Sequence, residues 1–206
     1  MVDLMGHIHL TMARDRQYVP AMSPTLMTAD QLEHLRVPDK HVELVKGVLI
    51  VKEPAGYRHG AVAARLAKVL MDYVDAQDLG QVVAAETGFT LATDPDTVRA
   101  PDTAFIRRER LPDPPPAGFA RLAPDLVVEV LSPDDRPGEV LAKVADWLSA
   151  GTRLVWVVDP ALRRAHVYRA DGSDSSVDAD GALDGGDVLP GFTCKLSVIF
   201  TTQSNK

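Results

Sequence analysis

The stretch DLVVEVL, residues 125–131, decides the fold of this chain. Its nearly continuous run of apolar, mostly β-branched residues predicts a strand that is covered on both faces. Glu129 interrupts this run, and an ionised carboxylate inside an apolar sheet is costly unless a partner compensates it. The segment therefore predicts both a central strand and a candidate functional residue.

The residues that follow predict a helix and a second buried strand. The turn Ser-Pro-Asp-Asp-Arg-Pro-Gly at 132–138 leads into a helix over about 137–150, which Gly151 ends. The strand RLVWVVD at 153–159 comes next. The apolar helix face comprises Val140, Leu141, Val144, Trp147 and Leu148. Lys143 lies beside Trp147, at the edge of that face.

The preceding half of the chain predicts a short helix, a hairpin and a long helix. Thr28 and Gln31 form a capping-box pattern, which predicts a helix through Leu35. VELVKGVLIV at 42–51 predicts a hairpin that turns at Lys46-Gly47, with Glu43 opposite Ile50. Apolar residues at helical spacing predict the long helix over 59–78.

Two further strands and a loop complete the predicted domain. QVVAAETGFTLA at 81–92 predicts one strand, and residues 99–102 open a second strand, TAFI, with Pro101 tolerated at its start. The proline-rich segment 111–124 predicts a long surface loop and not a domain boundary, because the segments on both sides of it fit one sheet. Residues 164–172 predict a last strand, followed by glycine- and aspartate-rich turns and a short apolar end around 198–200.

Composition favours one soluble domain. The chain has 206 residues, of which 46% are hydrophobic and 25% charged. We expect the domain over 28–200, a weakly ordered extension over 1–27 and a tail over 201–206. Cys194 is the only cysteine. Because no intrachain disulfide can form, we expect Cys194 to be a small buried residue and the setting to be cytoplasmic. No apolar run approaches the ~20 residues of a membrane span.

The net charge of −7 argues against a broad surface for duplex nucleic acid, which normally rests on basic residues. Basic runs at 107–110 and 163–164 are local, and such runs usually belong to solvated loops. A metal site, in contrast, requires carboxylates, which the bound cation neutralises. The acidic balance is therefore compatible with a metal-dependent enzyme.

Three acids, Glu43, Asp102 and Glu129, lie in or beside the predicted strands. Mg²⁺ prefers oxygen ligands, often one or two carboxylates completed by water and substrate phosphate. Each acid also has a structural alternative: Asp102 could cap a turn after Pro101, and Glu129 could pair with a buried arginine or lysine. Two acids on neighbouring strands favour a shared counter-ion, because like charges close together raise each other's pKa.

Three basic residues could assist those acids. Lys143 can reach back toward the end of the strand that bears Glu129, where it would activate a water or stabilise charge on phosphate; alternatively it is a surface lysine. His59 faces the core at a helix N-terminus, which predicts a lowered pKa and a neutral ring; it could also be an ordinary core histidine. Arg99 is either a phosphate contact or a salt-bridge partner of Asp102. GxSxG, Walker A, HExxH and CxxC motifs are absent from the sequence.

Taken together, these motifs resemble the Uma-two family of bacterial proteins, over roughly residues 28–200. The resemblance rests on Thr28-Ala29-Asp30, VELVKGVLIV, Arg58-His59-Gly60, VRAPDTAFI, APDLVVEVLSPDD, the Lys143 helix and RLVWVVDP. That family is assigned to the PD-(D/E)XK nuclease superfamily. The resemblance implies an α/β (α+β) domain of the restriction-endonuclease-like fold, with a mixed central sheet flanked by helices and an N-terminal β-hairpin.

The resemblance also implies the site. Asp102, the acid of the PD motif, and Glu129 would hold a metal ion, with Lys143 as the basic residue and Glu43 as a further acid nearby. His59 and Arg99 match recurrent family positions. The usual lysine two residues after the strand acid is replaced here by Leu131, so the resemblance implies that Lys143 takes its place from the helix.

The leading hypothesis is a Mg²⁺- or Mn²⁺-dependent endonuclease that acts on DNA. Asp102, Glu129 and the main-chain carbonyl of Val130 would hold the metal. Lys143 would orient and activate the water, Glu43 would bind a second ion or position that water, and His59 or Arg99 would contact the phosphate. A second hypothesis is a binding module that kept the fold and lost turnover, and a third is an assembly subunit. A homodimer could form through the hairpin at 42–51 or the terminal segment.

Overall fold

A computed structural model describes residues 26–200 of the chain. Its helices are α1 (Ala29–His34), α2 (Tyr57–Gln77), α3 (Pro137–Ser149) and α4 (Leu196–Ile199), and Arg108–Arg110 form a 3₁₀ turn. The first six strands are β1 (His41–Val45), β2 (Val48–Lys52), β3 (Gly80–Ala84), β4 (Phe89–Ala92), β5 (Thr97–Arg99) and β6 (Thr103–Arg107). The other six are β7 (Leu126–Val130), β8 (Leu154–Asp159), β9 (Arg164–Arg169), β10 (Asp174–Val177), β11 (Ala182–Asp184) and β12 (Thr193–Lys195).

The centre of the fold is a six-stranded mixed sheet with the order β10-β9-β8-β7-β6-β3. Strands β7 and β8 run parallel, with Val128 beside Trp156, and the other neighbours run antiparallel. Every residue of β7 is buried. The prediction of a central, doubly covered strand from the sequence of β7 is therefore confirmed.

Helices cover both faces of this sheet. The apolar side chains of α2 pack on one face, against those of β7 and β8. Helix α3 connects the two parallel strands and packs on the other face, where Val144 and Trp147 contact the alternate side chains of β6, β7 and β8. Because side chains alternate along a strand, Val128 and Val130 face α2, whereas Val127 faces α3.

The predicted hairpin belongs to a second sheet, with the order β2-β1-β5-β4. Its register is as predicted, with Glu43 opposite Ile50 and Val45 opposite Val48. Helix α1 begins with the predicted capping box at Thr28 and packs on Leu44 of this sheet. The domain thus contains a small sheet beside the central one.

The prediction of one strand over 81–92 is wrong. The structure divides this segment into β3, at the edge of the central sheet, and β4, at the edge of the small sheet. The chain turns between them at Glu86, whose φ of 69° lies in the left-handed region. Arg99 likewise ends β5 of the small sheet instead of opening the TAFI strand. The small sheet therefore carries Glu43, whereas Asp102 directly precedes β6 of the central sheet.

The C-terminal part contains more regular structure than the sequence predicted. Strand β9 is shorter than the predicted strand over 164–172, and β10, β11, β12 and α4 follow where turns were expected. Cys194 is buried in the core below α2, as predicted. Apart from Leu26 and Met27, the predicted extension over 1–27 and the tail over 201–206 lie outside the described residues. From residue 26 to residue 200, every helix is too short or too polar to cross a bilayer.

Candidate metal and catalytic site

Three different strand segments bring the predicted acids to one end of the central sheet. Glu129 lies in β7, Asp102 directly precedes β6, and Glu43 lies in β1 of the small sheet. Thr103 pairs with Val128 in the antiparallel ladder, and the amide of Asp102 donates to the carbonyl of Val128 at 3.2 Å. Asp102 therefore lies beside the end of β7, next to Glu129.

Both carboxylate oxygens of Asp102 have partners. Oδ2 accepts a hydrogen bond of 2.6 Å from the amide of Val130, and Oδ1 lies 3.2 Å from Nε2 of His59 at the start of α2. The Asp102 side chain is 17% exposed and that of His59 is 14% exposed. These contacts fix Asp102 against the main chain of β7 and place it within reach of solvent.

The direction of the pKa shift predicted for His59 is wrong. A helix N-terminus alone would lower the pKa of the ring, but the hydrogen bond with Asp102 raises it, by more than burial lowers it. The negative charges of Asp135 and Glu129 act in the same direction. The raised pKa of His59 favours the protonated ring beside Asp102.

Glu129 is almost completely enclosed. Its Oε1 accepts a hydrogen bond of 2.8 Å from the indole Nε1 of Trp147, and its Oε2 accepts one of 2.9 Å from Nζ of Lys143. Burial raises the pKa of Glu129 to about 7; the charges of Asp102 and Glu43 add to this effect and Lys143 opposes it. Burial therefore outweighs the positive charge of Lys143 in setting the pKa of Glu129.

Lys143 reaches the strand end as predicted, and its ammonium group is fully engaged there. Nζ lies 2.9 Å from Glu129 Oε2 and 3.0 Å from Glu43 Oε1, and it donates to the carbonyl of Ala100 at 3.1 Å. An ammonium group has three N–H donors, so these acceptors use all of them. Burial lowers the pKa of Lys143, but Glu129 and Glu43 outweigh burial and raise it. The two carboxylates therefore favour the protonated amine.

Arg99 does not pair with Asp102, and that alternative from the sequence is wrong. Its Nη1 donates to Glu43 Oε2 at 2.9 Å, and its Nε and Nη2 donate to Asp146 Oδ2 at 3.0 and 2.6 Å. The Arg99 side chain is only 8% exposed. The remaining alternative, a phosphate contact, stays a prediction; Arg99 uses three of its five N–H donors on Glu43 and Asp146.

Glu43 is bound on both oxygens. Oε1 accepts from Lys143 and from the amide of Ala100 at 3.0 Å, whereas Oε2 accepts from Arg99. Burial raises the pKa of Glu43, but Lys143 and Arg99 together lower it. Glu43 is thus an ionised group that positions Lys143, and it touches neither Asp102 nor Glu129.

The donor set at the end of β7 fits a hard divalent cation. The main-chain N–H of Val130 faces Asp102, and the C=O of a strand residue lies on the same side as its N–H. The amide of Leu131, not that of Val130, donates to Val158 of the neighbouring strand β8. Asp102, Glu129 and the Val130 carbonyl therefore offer only oxygen atoms, which suits Mg²⁺ or Mn²⁺ better than a soft metal.

Side chains alone do not complete such a site. Across residues 26–200, no group of three or more histidine, cysteine or carboxylate side chains is arranged to hold a metal ion. A cation on Asp102 and Glu129 would need the Val130 carbonyl, water and substrate oxygen as further ligands. Mg²⁺ commonly binds in this way, with one or two carboxylates and retained waters.

Two residues of the site were missed in the sequence. Trp147 was assigned only to the apolar face of α3, although its indole N–H binds Glu129. Asp146 was not considered, although it holds Arg99. Their spacing from Lys143, three and four residues along a helix, places all three side chains on neighbouring positions, and this was the available signal.

The mixed sheet covered by helices on both faces, with acids and a lysine at one strand end, defines a restriction-endonuclease-like domain. Residues 29–198 match the profile of the Uma2 family, which is described as "Putative restriction endonuclease". The match spans most of the chain, and the chain belongs to the Uma2 family. Its membership indicates a nuclease-like function.

A solved structure supports the same fold. The crystal structure of a protein from Anabaena variabilis, described as "a putative nuclease belonging to DUF820", superposes with a TM-score of 0.74 at 23% sequence identity. The alignment covers 84% of this chain and 97% of that chain. A comparison with curated proteins finds no match.

Proposed function

We propose that this protein is a divalent-metal-dependent endonuclease that hydrolyses phosphodiester bonds in DNA. The observation that carries the proposal is the arrangement of Asp102, Glu129 and the main chain of Val130 around one strand end, with Lys143 behind them. The family description supports the choice of DNA, because restriction endonucleases act on it.

Asp102, Glu129 and the Val130 carbonyl would hold Mg²⁺ or Mn²⁺ in this proposal. When bound, such an ion supplies positive charge to the scissile phosphate and lowers the pKa of a water molecule. The side chain of Trp147 fixes one oxygen of Glu129, and Lys143 fixes the other. Glu129 is therefore held in one orientation before any ligand arrives, which is how outer partners commonly orient metal ligands.

The basic residues of the site have distinct roles in this proposal. Lys143 remains a fixed positive charge that offsets the carboxylates and the charge that develops on phosphate. His59 contacts Asp102 through Nε2, so its Nδ1 is the ring nitrogen available to donate a hydrogen bond to a phosphate oxygen. Glu43 acts through Lys143, since all of its contacts are with the main chain, Lys143 and Arg99.

Two substitutions test the metal site directly. Asp102→Asn and Glu129→Gln keep the size of each side chain and remove its charge. We expect each to abolish cleavage of plasmid and of single-stranded circular DNA in Mg²⁺ or Mn²⁺, and to weaken calorimetric Mg²⁺ binding by more than the ~10- to 100-fold typical of outer-shell changes. Far-UV circular dichroism should show that both variants fold.

Asp187→Asn is a matched control. Asp187 is an exposed carboxylate paired with Arg153, at the start of β8 and so at the opposite end of the central sheet. We expect this variant to bind Mg²⁺ and nick plasmid as the wild type does. Retention of metal-dependent cleavage in both Asp102→Asn and Glu129→Gln would reject the proposed site.

A binding module without turnover is the second candidate. The observation that favours it is the complete engagement of Lys143 by Glu43, Glu129 and Ala100, which leaves no donor for substrate. This candidate predicts that wild-type protein binds DNA or a protein partner but never cleaves plasmid or single-stranded circular DNA, at any protein or metal concentration. Nicking that disappears in Glu129→Gln excludes it.

A further inference from the structure

We propose that Tyr57 and Arg58 form a contact for an unpaired nucleotide, so that the substrate is single-stranded DNA beside the scissile bond. This inference rests on the proposed nuclease function and specifies its substrate class. Tyr57 would stack on a base, and Arg58 would bind a backbone phosphate. Both residues lie in the first turn of α2, directly before His59.

Tyr57 is unusually exposed for an aromatic residue. It is 94% exposed, whereas every tryptophan and phenylalanine among residues 26–200 is at least partly buried. Within this part of the chain its ring makes no hydrogen bond or ring contact. The face of an aromatic ring is apolar, so covering it with a base removes no hydrogen bond to water. Stacking on tyrosine also tolerates any of the bases of DNA.

The position of Tyr57 relative to the site supports a neighbouring nucleotide as the ligand. Residues two apart in a helix are separated by about 3 Å along its axis and point to different sides. The His59 side chain points to Asp102. The Tyr57 side chain therefore points away from Asp102, at nearly the same position along the axis of α2. A strand whose phosphate contacts His59 would therefore bring the base of an adjacent nucleotide to the tyrosine ring.

Arg58 is one of two arginines among residues 26–200 with neither an ion pair nor a hydrogen bond. The other is Arg164, at the start of β9 and opposite Asp159, hence at the same end of the central sheet as Asp102. By contrast, the basic run at 107–110 lies at the far end, where Asp78 and Asp125 neutralise Arg108 and Arg110. Free cationic charge is therefore found at the end that bears the proposed site.

The charge balance favours a single strand over an intact duplex. Duplex binding depends on many lysine and arginine contacts to phosphate, and this chain has a net charge of −7. Stacking supplies affinity without a large basic surface, and each stacked base strengthens binding by about 5- to 100-fold. One exposed ring with one free arginine can thus compensate for an otherwise acidic surface.

Fluorescence anisotropy with labelled DNA tests this inference. The probes are a mixed-sequence single strand of about 20 nucleotides, longer than the ~4–16 nucleotides of typical single-strand sites, and the same sequence as a blunt duplex. Ca²⁺ replaces Mg²⁺ as an oxygen-coordinated ion, and a gel checks that the probe stays intact. We expect Tyr57→Ala to weaken single-strand binding by about 5- to 100-fold, while Tyr57→Phe stays within about threefold of wild type.

The matched controls are Leu162→Ala and Arg153→Ala. Leu162 is a 60% exposed apolar residue at the same end of the sheet, and Arg153 is a paired arginine at the other end. Neither should change single-strand affinity. Arg58→Ala should weaken binding and reduce the slope of log affinity against log salt by about 0.7, the value for one phosphate contact on a single strand.

Tyr57→Trp gives a readout that a merely structural role would not change. The native tryptophans Trp147 and Trp156 are fully buried, so an added fluorescence response to DNA would come from position 57. We expect quenching on saturation with the single strand and little change with the duplex. Wild-type single-strand affinity in Tyr57→Ala, equal losses on both probes, or unquenched Tyr57→Trp would each overturn the inference.

The failure of this inference can be told apart from the failure of the proposed function. If Asp102→Asn and Glu129→Gln abolish nicking but Tyr57→Ala binds the single strand normally, the nuclease proposal stands and the nucleotide contact is rejected. If wild-type protein never nicks DNA but Tyr57→Ala loses single-strand binding, the nuclease proposal is rejected and the nucleotide contact is retained.

Discussion

At the scale of single residues, Glu129 shows how burial and charge compete at the proposed site. Its carboxylate is held by two donors, yet burial with Asp102 and Glu43 nearby still raises its pKa to about 7. The ordinary value of 4.5 applies to the unfolded chain. Between these two pH values the native protein keeps a proton that the unfolded chain has lost, so stability falls as pH rises through this window and becomes constant above it.

Glu129→Gln should therefore change stability in a pH-dependent way. The glutamine cannot ionise, so the variant escapes the loss between pH 4.5 and about 7. Relative to wild type, we expect it to gain up to about 3 kcal/mol of unfolding free energy on going from about pH 5 to about pH 8. Urea denaturation at both pH values measures this difference.

Glu139→Gln is the control for that experiment, because Glu139 is an exposed carboxylate on the same helix. Its change in stability between the two pH values should be much smaller than that of Glu129→Gln. A change for Glu129→Gln no larger than that for Glu139→Gln would show that burial does not raise the pKa of Glu129.

At the scale of elements, the sequence predicted the helices and strands that a few consecutive residues specify. The capping box at Thr28, the Lys46-Gly47 hairpin and the apolar run of β7 each rest on a few consecutive residues. The segment 81–92 failed because a non-glycine residue, Glu86, adopts a positive φ and divides it. No residue preference signals that turn, and the choice of a different sheet for β4 depends on distant partners.

Two glycines, Gly138 near the start of α3 and Gly80 at the start of β3, should respond in opposite ways to substitution by alanine. Gly138 lies in the first turn of α3 in ordinary helical backbone, and an added Cβ would meet no atom within 4 Å. We expect Gly138→Ala to stabilise the protein by ~0.5–1 kcal/mol, because alanine loses less backbone entropy on folding.

Gly80→Ala should have the opposite sign. Gly80 has a φ of +151°, and an added Cβ would lie 2.1 Å from the carbonyl oxygen of Ile106. Strand β3 would have to shift away from β6 to relieve this contact. Thermal denaturation of both variants measures the effects, and a stabilised Gly80→Ala or a destabilised Gly138→Ala would contradict this account of the two positions.

At the scale of the whole molecule, a buried network of charges connects the two sheets. Glu43 and Arg99 belong to the small sheet, whereas Glu129 of β7 and the α3 residues Lys143 and Asp146 belong to the central layer. The sequence predicted most members of this network as site residues. It could not predict which residues pair, because the contacts of Arg99 with Asp146 and Glu43 span 47 and 56 residues of chain and depend on how the two sheets meet.

Arg99→Met tests whether this network holds the two sheets together. The substitution keeps much of the apolar stem and removes the guanidinium, which leaves Glu43 with only Lys143 as a charged partner and Asp146 without one. Breaking a buried ion pair from one side costs ~3–5 kcal/mol. We expect a loss of this size in urea denaturation, whereas Arg121→Met, which breaks an exposed pair with Asp30, should cost less than about 1 kcal/mol.

The double variant Arg99→Met/Glu43→Gln separates charge from packing. The loss in Arg99→Met could come from the Glu43 carboxylate, which the substitution leaves without its arginine. In that case, removing the charge of Glu43 as well should restore part of the lost stability, because burying a neutral amide costs less than burying an unpaired ion. If the loss comes from packing between the sheets, the second substitution should add to the first. A single Arg99→Met effect no larger than that of Arg121→Met would show that the small sheet is held on the domain by its apolar contacts alone.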